Sequence, residues 1–327
     1  MQEIVNRVQI LLDDKKEEWN KLYKGHAEKI FNNIENIKKC KMNFNVWKPL
    51  YLYLNISNSE KSSPEFSLRY RGKNVASLSI KGIDVIISTS KYIRTNKDLF
   101  DFDIELSNAN WNSIKAKEFR KHYSMNLDSN PNFKKQYNEH RIESLLLTEF
   151  SKNKCSKKRQ CKKIIKNIQP VKLAGIARFQ MPTPISASKK IDYSCIVRGG
   201  SIDILARVGT GPNTKLCIME IKDEYKHKDD PIKALKQGLA YAVFIRELIR
   251  SDSGEKWWKL FGFNHPVPKK LKLYVSCVMP FNDKLINDDK PFSSDTINMK
   301  DSDDTIQLHY IYFEYKNDEI SIIDKSF

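Results

Sequence analysis

No stretch of the 327 residues approaches the roughly 18 unbroken apolar residues that a membrane-spanning helix needs, so no helical membrane anchor is expected. The first residues, MQEIVNRVQILLDDKKEEWNK, hold no apolar run followed by a small-residue cleavage site. They read as an amphipathic helix, not a signal peptide, and a cytoplasmic location is the expectation. The six cysteines, at 40, 155, 161, 195, 217 and 277, form no CxxC pair. Their spacing fits no common zinc pattern, which argues against structural zinc, an iron–sulfur cluster or a disulfide framework. No GxxxxGK[ST] motif occurs. The nearest stretch, Gly209 to Lys215, has the wrong spacing and lies between two strands instead of opening a helix. Any ATP dependence would therefore come from a partner protein. There is no internal repeat.

Acidic residues are also in short supply. Against 57 Lys and Arg there are 40 Asp and Glu, a formal net charge of +17. Such an excess speaks to partners more than to fold, and nucleic acid is the commonest polyanion. A surface on which lysine is simply the default residue is the alternative. With 40% hydrophobic and 11% aromatic residues the chain can build at least one real core.

Two regions differ in texture. In residues 1–40, Ile4, Val8, Leu11, Leu12, Trp19, Leu22, Tyr23, Ile30, Phe31 and Ile34 recur at helical spacing. Short aromatic or β-branched runs follow at 46–56, 66–72, 75–80 and 83–89, an expected antiparallel meander. Residues 102–106 suggest a further strand and 111–123 a helix. The aromatics here, Trp47, Tyr51, Tyr53, Phe66 and Tyr70, are read as core in preference to base-stacking groups. The turn-rich LDSNPN at 127–132 marks a boundary, dividing an N-terminal α+β region (1–135) from a second domain (136–327). The second domain reads as helix 139–152, strand 174–185, strands IDILARV and KLCIMEIK, helix 231–250 and strand 270–280. Asp230 is its N-cap and Pro231 the first residue of that last helix. Helix, three strands, helix, strand is an α/β order with a sheet between flanking helices. Residues 306–315 add a strand, and the Asp-, Ser- and Asn-rich tract from Asn282 to Asp304 reads as a long loop.

The chemistry concentrates in GGSIDILARVGTGPNTKLCIMEIKDE, residues 199–224. Two strands joined by a short Gly-, Pro- and Asn-containing turn must pair antiparallel. If the turn is centred on the Gly211–Pro212 bond, Asp203 faces Glu220. Strand alternation then puts Lys222 on the Glu220 face. Leu216 and Ile218 share that face, while Cys217, Met219 and Ile221 line the other, the pattern of a buried central strand. Carboxylates buried there are costly unless paired or bound to a metal, and their hard oxygens suit Mg²⁺ or Mn²⁺. An ion pair closing the strand end is the plainer alternative.

Asp203 followed by Glu220-Ile221-Lys222 after a hairpin resembles the D…(E)xK signature of the PD-(D/E)XK nuclease superfamily. The next helix supplies Gln237-Gly238-Leu239-Ala240-Tyr241, similar to the QxxxY motif of one branch of that superfamily. Gln237 and Tyr241 share a helical face. The proline that often precedes the aspartate is replaced by Ile202. The resemblance covers roughly residues 138–280, and no family is recognised in 1–135. It implies a restriction-endonuclease-like core with a central mixed sheet flanked by helices. It also implies metal ligation by Asp203, Glu220, the Ile221 carbonyl and Glu143, with catalysis by Asp203, Glu220, Lys222, Gln237 and Tyr241. A metal-dependent DNA endonuclease is the implied activity, with restriction or anti-phage defence as its setting. An RNA nuclease, a silent nucleic-acid-binding module and a subunit of a larger complex are the alternatives. An intact set of Asp203, Glu220 and Lys222 speaks against the silent module. Lys157, Lys158, Arg159, Lys162 and Lys163 in the basic run 151–172, with Lys226 and Lys228, are candidate phosphate contacts. A homodimer, or a partner supplying targeting or ATPase activity, is compatible with this reading.

Overall fold

The structure is a computed structural model and describes residues 1–40, 50–56, 63–96, 104–125, 138–151, 168–194, 199–222, 231–281, 295–316 and 319–326. The first 125 residues hold helices α1 (Gln2–Asp14) and α2 (Lys16–Lys39), then strands β1 (Leu50–Asn55), β2 (Glu65–Tyr70), β3 (Lys73–Lys81) and β4 (Asp84–Thr89). A short helix α3 (Lys91–Thr95), strand β5 (Ala109–Asn110) and helix α4 (Ile114–Met125) follow. Next come helix α5 (Asn138–Ser151) and strands β6 (Ile168–Pro170), β7 (Lys172–Leu173), β8 (Ala177–Phe179), β9 (Pro182–Thr183) and β10 (Gly200–Ser201). Strands β11 (Ile204–Val208) and β12 (Lys215–Ile221) precede helices α6 (Pro231–Arg250) and α7 (Gly254–Leu260). Strands β13 (Lys272–Pro280), β14 (Thr296–Asn298), β15 (Thr305–Lys316) and β16 (Glu319–Lys325) complete the described residues. The protein is thus mixed α/β, as expected.

Two compact units form, one from Met1–Lys24, Ile142–Val171 and Gln180–Phe327, the other from Gly25–Arg141 and Lys172–Phe179. The expected single cut after residue 135 falls six residues short of Arg141, and two further segments change sides. The N-terminal helix joins the later unit because α1 packs on α6, burying Val5, Val8 and Leu12. Each such side chain stabilises by roughly 1.5–3 kcal/mol as an upper bound. Residues 172–179 return to the earlier unit because β8 runs parallel to β1 and β7 pairs with β8. The expected single helix over 1–40 is broken at Lys15, after the poor helix formers Asp13 and Asp14. At the break the Leu12 carbonyl accepts from the Lys15 amide at 3.3 Å and from the Trp19 indole at 2.9 Å.

In the smaller unit the meander is found, in the order β5-β4-β3-β2-β1-β8-β7. The row Leu54, Phe66, Leu78, Ile87 crosses four strands in register, and all four side chains are buried. Tyr53 and Tyr70 are buried too, while Tyr51 is half-buried; Trp47 lies outside the described residues. Residues 104–106 do not form the expected strand; Leu106 instead exchanges hydrogen bonds with Thr89.

The larger unit carries a mixed sheet ordered β14-β15-β13-β12-β11-β6, with β16 on β15. β12 is central, antiparallel to β11 and parallel to β13, and α6 lies against β12 and β13. The expected strand over 174–185 is a correction. Ala174 and Gly175 turn the chain with positive φ, and β8 and β9 belong to different sheets. The strand that precedes β11 in its own sheet is β6, which pairs with it antiparallel. The tract 282–304 is not all loop: β14 lies within it and Asp304 is 1% exposed.

On β15 His309 is buried. Its Nδ1 lies 3.0 Å from the Ser326 hydroxyl, and its ring meets Tyr274 edge-on. Burial, aided by the Lys272 charge and opposed by the Ser326 backbone, pushes its pKa down to about 4. The unfolded chain, titrating near 6.5, binds the proton more tightly. Stability should therefore fall as pH drops from about 6.5 towards 4, by roughly 1.4 kcal/mol per unit in the middle of that window. Urea midpoints of His309→Gln should lose this slope; an unchanged slope would remove His309 as its source.

Candidate active site

The β11–β12 hairpin closes through a short 3-10 turn, Gly211–Asn213. Its register pairs Ile204 with Met219 and Val208 with Lys215, the register expected from a turn centred on Gly211–Pro212. Asp203 stands one residue before the ladder, and its Oδ2 accepts from the Ile221 amide at 2.8 Å. Glu220 is 1% exposed. Lys222 is half-buried, and its amide donates to the Val278 carbonyl at 2.8 Å, prolonging the pairing with β13.

Helix α6 opens at Pro231, whose missing N–H costs nothing at a helix start; Asp230, the expected N-cap, lies outside the described residues. Four-residue spacing puts Gln237 and Tyr241 on one face, where Gln237 Nε2 donates to the Tyr241 hydroxyl at 3.4 Å. Tyr241 is buried, and burial together with the nearby Glu220 charge pushes its hydroxyl pKa well up. The Gln237 hydrogen bond and one from the Ala187 backbone oppose that rise, and Asp203 adds to it. The structure thus brings Asp203, Glu220, Gln237 and Tyr241 together. Comparison with protein-family models, curated proteins and solved structures found no match for this chain.

Two glycines set the closeness. A Cβ at Gly238 would stand 2.7 Å from Val275 Cγ1 and 3.2 Å from Glu220 Cγ, and one at Gly200 would strike the Tyr241 hydroxyl. Gly238→Ala gains about 1 kcal/mol of helix propensity but incurs about 1–3 kcal/mol of overpacking. Its melting temperature should stay level or fall, and any activity that needs Glu220 in place should drop at least about tenfold. Gly25→Ala, in α2 with nothing within 4 Å, should instead stabilise. If thermal scans show Gly238→Ala stabilising as much as Gly25→Ala, the close seat is wrong.

Glu143 is 3% exposed on α5. Among the described residues no group of three or more His, Cys, Asp or Glu is gathered to hold a metal. Asp203 and Glu220 are the carboxylates that the hairpin itself supplies. That pair still fits Mg²⁺, which keeps several waters and takes one or two carboxylates plus substrate phosphates. Lys157, Lys158, Arg159, Lys162, Lys163, Lys226 and Lys228 lie outside the described residues. The sequence reading missed the loop of Ile185 and Ala187, because nothing in its residue types announces a contact with Tyr241.

Proposed function

We propose that this chain is a metal-dependent nuclease of the PD-(D/E)XK type that hydrolyses phosphodiester bonds in DNA. The observation that carries the reading is the hairpin register. It puts Asp203 beside a central strand bearing the buried Glu220, with Lys222 two residues on along the same face. Within the larger unit's main sheet the strands β6, β11, β12 and β13 are neighbours out of β14-β15-β13-β12-β11-β6, with α5 before β6 and α6 between β12 and β13 in the chain, and this supports a restriction-endonuclease-like core.

Asp203 and Glu220 would hold Mg²⁺ or Mn²⁺, together with the Ile221 carbonyl. When bound, the cation lowers the pKa of a water and neutralises the phosphate. Lys222 orients the attacking water and offsets negative charge as the phosphorus becomes five-coordinate. Gln237 and Tyr241 line the Glu220 side of the site. The Tyr241 hydroxyl stays protonated at neutral pH and remains a hydrogen-bond donor. The test is a panel of supercoiled plasmid, linear duplex, single-stranded DNA and RNA, incubated with Mg²⁺, Mn²⁺ or EDTA. Cutting of DNA that EDTA stops is the expected result. Cutting of RNA alone would reassign the substrate, and metal-independent binding without cutting would favour a binding module.

A further inference from the structure

Just ahead of Asp203 the chain leaves the two-stranded β9–β10 ladder, in which Gly200 pairs with Thr183 and Ser201 with Pro182. The outgoing limb folds back on itself. The Ser186 amide donates to the Asp192 carbonyl at 2.9 Å and the Asp192 amide to the Ser186 carbonyl at 3.1 Å. Its base is anchored several times over. The buried Thr183 hydroxyl donates to the Ile185 carbonyl at 2.8 Å, and the Tyr23 hydroxyl to the Pro182 carbonyl at 2.8 Å. A Cβ at Gly200 would collide with both the Ile185 carbonyl and the Tyr241 hydroxyl. The tip, Ser188-Lys189-Lys190, is exposed. Lys189 is two residues beyond Ala187, which bonds Tyr241, so their Cα atoms are within about 7.6 Å.

A pair of carboxylates repels a phosphodiester backbone, so a strand approaching Asp203 and Glu220 needs cations close by. The closed turn holds two of them out beside the site. Its described acid, Asp192, sits at the closing position opposite Ser186 instead of at the tip. We propose that Lys189 and Lys190 bind backbone phosphates of the nucleic-acid strand next to the scissile bond, an inference that rests on the nuclease reading. Lysine contacts of this kind bind phosphate as point charges, position the strand and carry no sequence information.

The test uses the full chain carrying Lys222→Ala, so that the probe survives, with Mg²⁺ and a short fluorescent duplex DNA across a KCl series. Adding Lys189→Ala and Lys190→Ala should lower the slope of log K against log salt by about 1.8, or 0.9 per lost contact. Affinity near physiological salt should fall about tenfold. Lys259→Ala with Lys269→Ala removes the same charge from exposed positions elsewhere in this unit and should leave the slope nearly unchanged. The melting temperature should not move in either pair. An unchanged slope in the Lys189/Lys190 pair, or an equal fall in the control pair, overturns the proposal. If the unmutated chain cuts DNA while the slope stays put, this inference fails and the nuclease reading stands. If the chain neither cuts nor binds, both fail.

Discussion

On the proposed reading, Glu220→Gln should abolish metal-dependent cleavage together with the stabilisation that Mg²⁺ gives. Glu220 is a carboxylate buried at 1% exposure on a central strand, with Asp203 hydrogen-bonded to the next residue along. Glutamine keeps the shape and removes the charge that a hard cation needs. Without that charge the cation would be lost, and with it several kcal/mol of transition-state stabilisation, roughly a thousandfold or more in rate. Asp203→Asn and Lys222→Ala should lose cleavage to a similar extent. Mg²⁺ should raise the melting temperature of the unmutated chain, by about 2.7 kcal/mol at a hundred times its Kd, and leave Glu220→Gln where it was. Thermal scans with Mg²⁺ and with EDTA, run beside a plasmid assay, read both quantities. A variant that cuts normally, or that Mg²⁺ still stabilises, would remove Glu220 from the site.

Asp304→Ala should cost about 3–5 kcal/mol, a large part of the 5–15 kcal/mol by which domains are usually stable. Asp304 is 1% exposed and accepts from Arg246 Nε and Arg250 Nε, both at 2.9 Å, and from the Leu271 amide at 2.8 Å. Arg250 Nη2 adds a further bond at 2.5 Å, and Arg246 also bonds Asp301 at 2.8 Å. Removing the carboxylate takes the acceptor from Arg246 Nε, from both Arg250 nitrogens and from the Leu271 amide, and ends the tie between the last turns of α6 and the start of β15, although Arg246 keeps Asp301, Glu247 and Ser302. Burial favours the neutral acid, but the hydrogen bonds from Arg250, Leu271 and Arg246 outweigh it and hold the Asp304 carboxyl below its usual range. A depressed folded-state pKa means that this stabilisation is fully present above about pH 4 and is lost as pH falls further. Urea unfolding at neutral pH should show the full deficit, shrinking as acid protonates Asp304 in the unmutated chain. A deficit below about 1 kcal/mol would mean that the arginines find other partners.

Where local pattern and long-range pairing agree, the sequence was legible. The β11–β12 register followed from a turn of Gly, Pro and Asn between two apolar strands, since a hairpin admits few alternatives. The central position of β12 followed from apolar residues on both its faces, and the Gln237–Tyr241 face from helical periodicity. The meander and α6 were readable for the same reason. Other features rest on contacts between residues far apart in sequence, which no window of residue types encodes. They include the return of β8 to pair with β1, the choice of β6 over 177–185 as the partner of β11, and the packing of α1 on α6. Asp304 is the sharpest case. In a tract of Asp, Ser and Asn it looks like any solvated loop acid, and only folding brings Arg246 and Arg250 to it. By itself, then, the sequence determined the hairpin and which residue types share its face. The tertiary structure decided how deeply Glu220 is buried, how closely Gly238 and Gly200 let α6 and the 184–194 loop approach it, and which strands flank it. Burial and approach are set by every element that packs around a residue, and so cannot be read from its own neighbours in the chain.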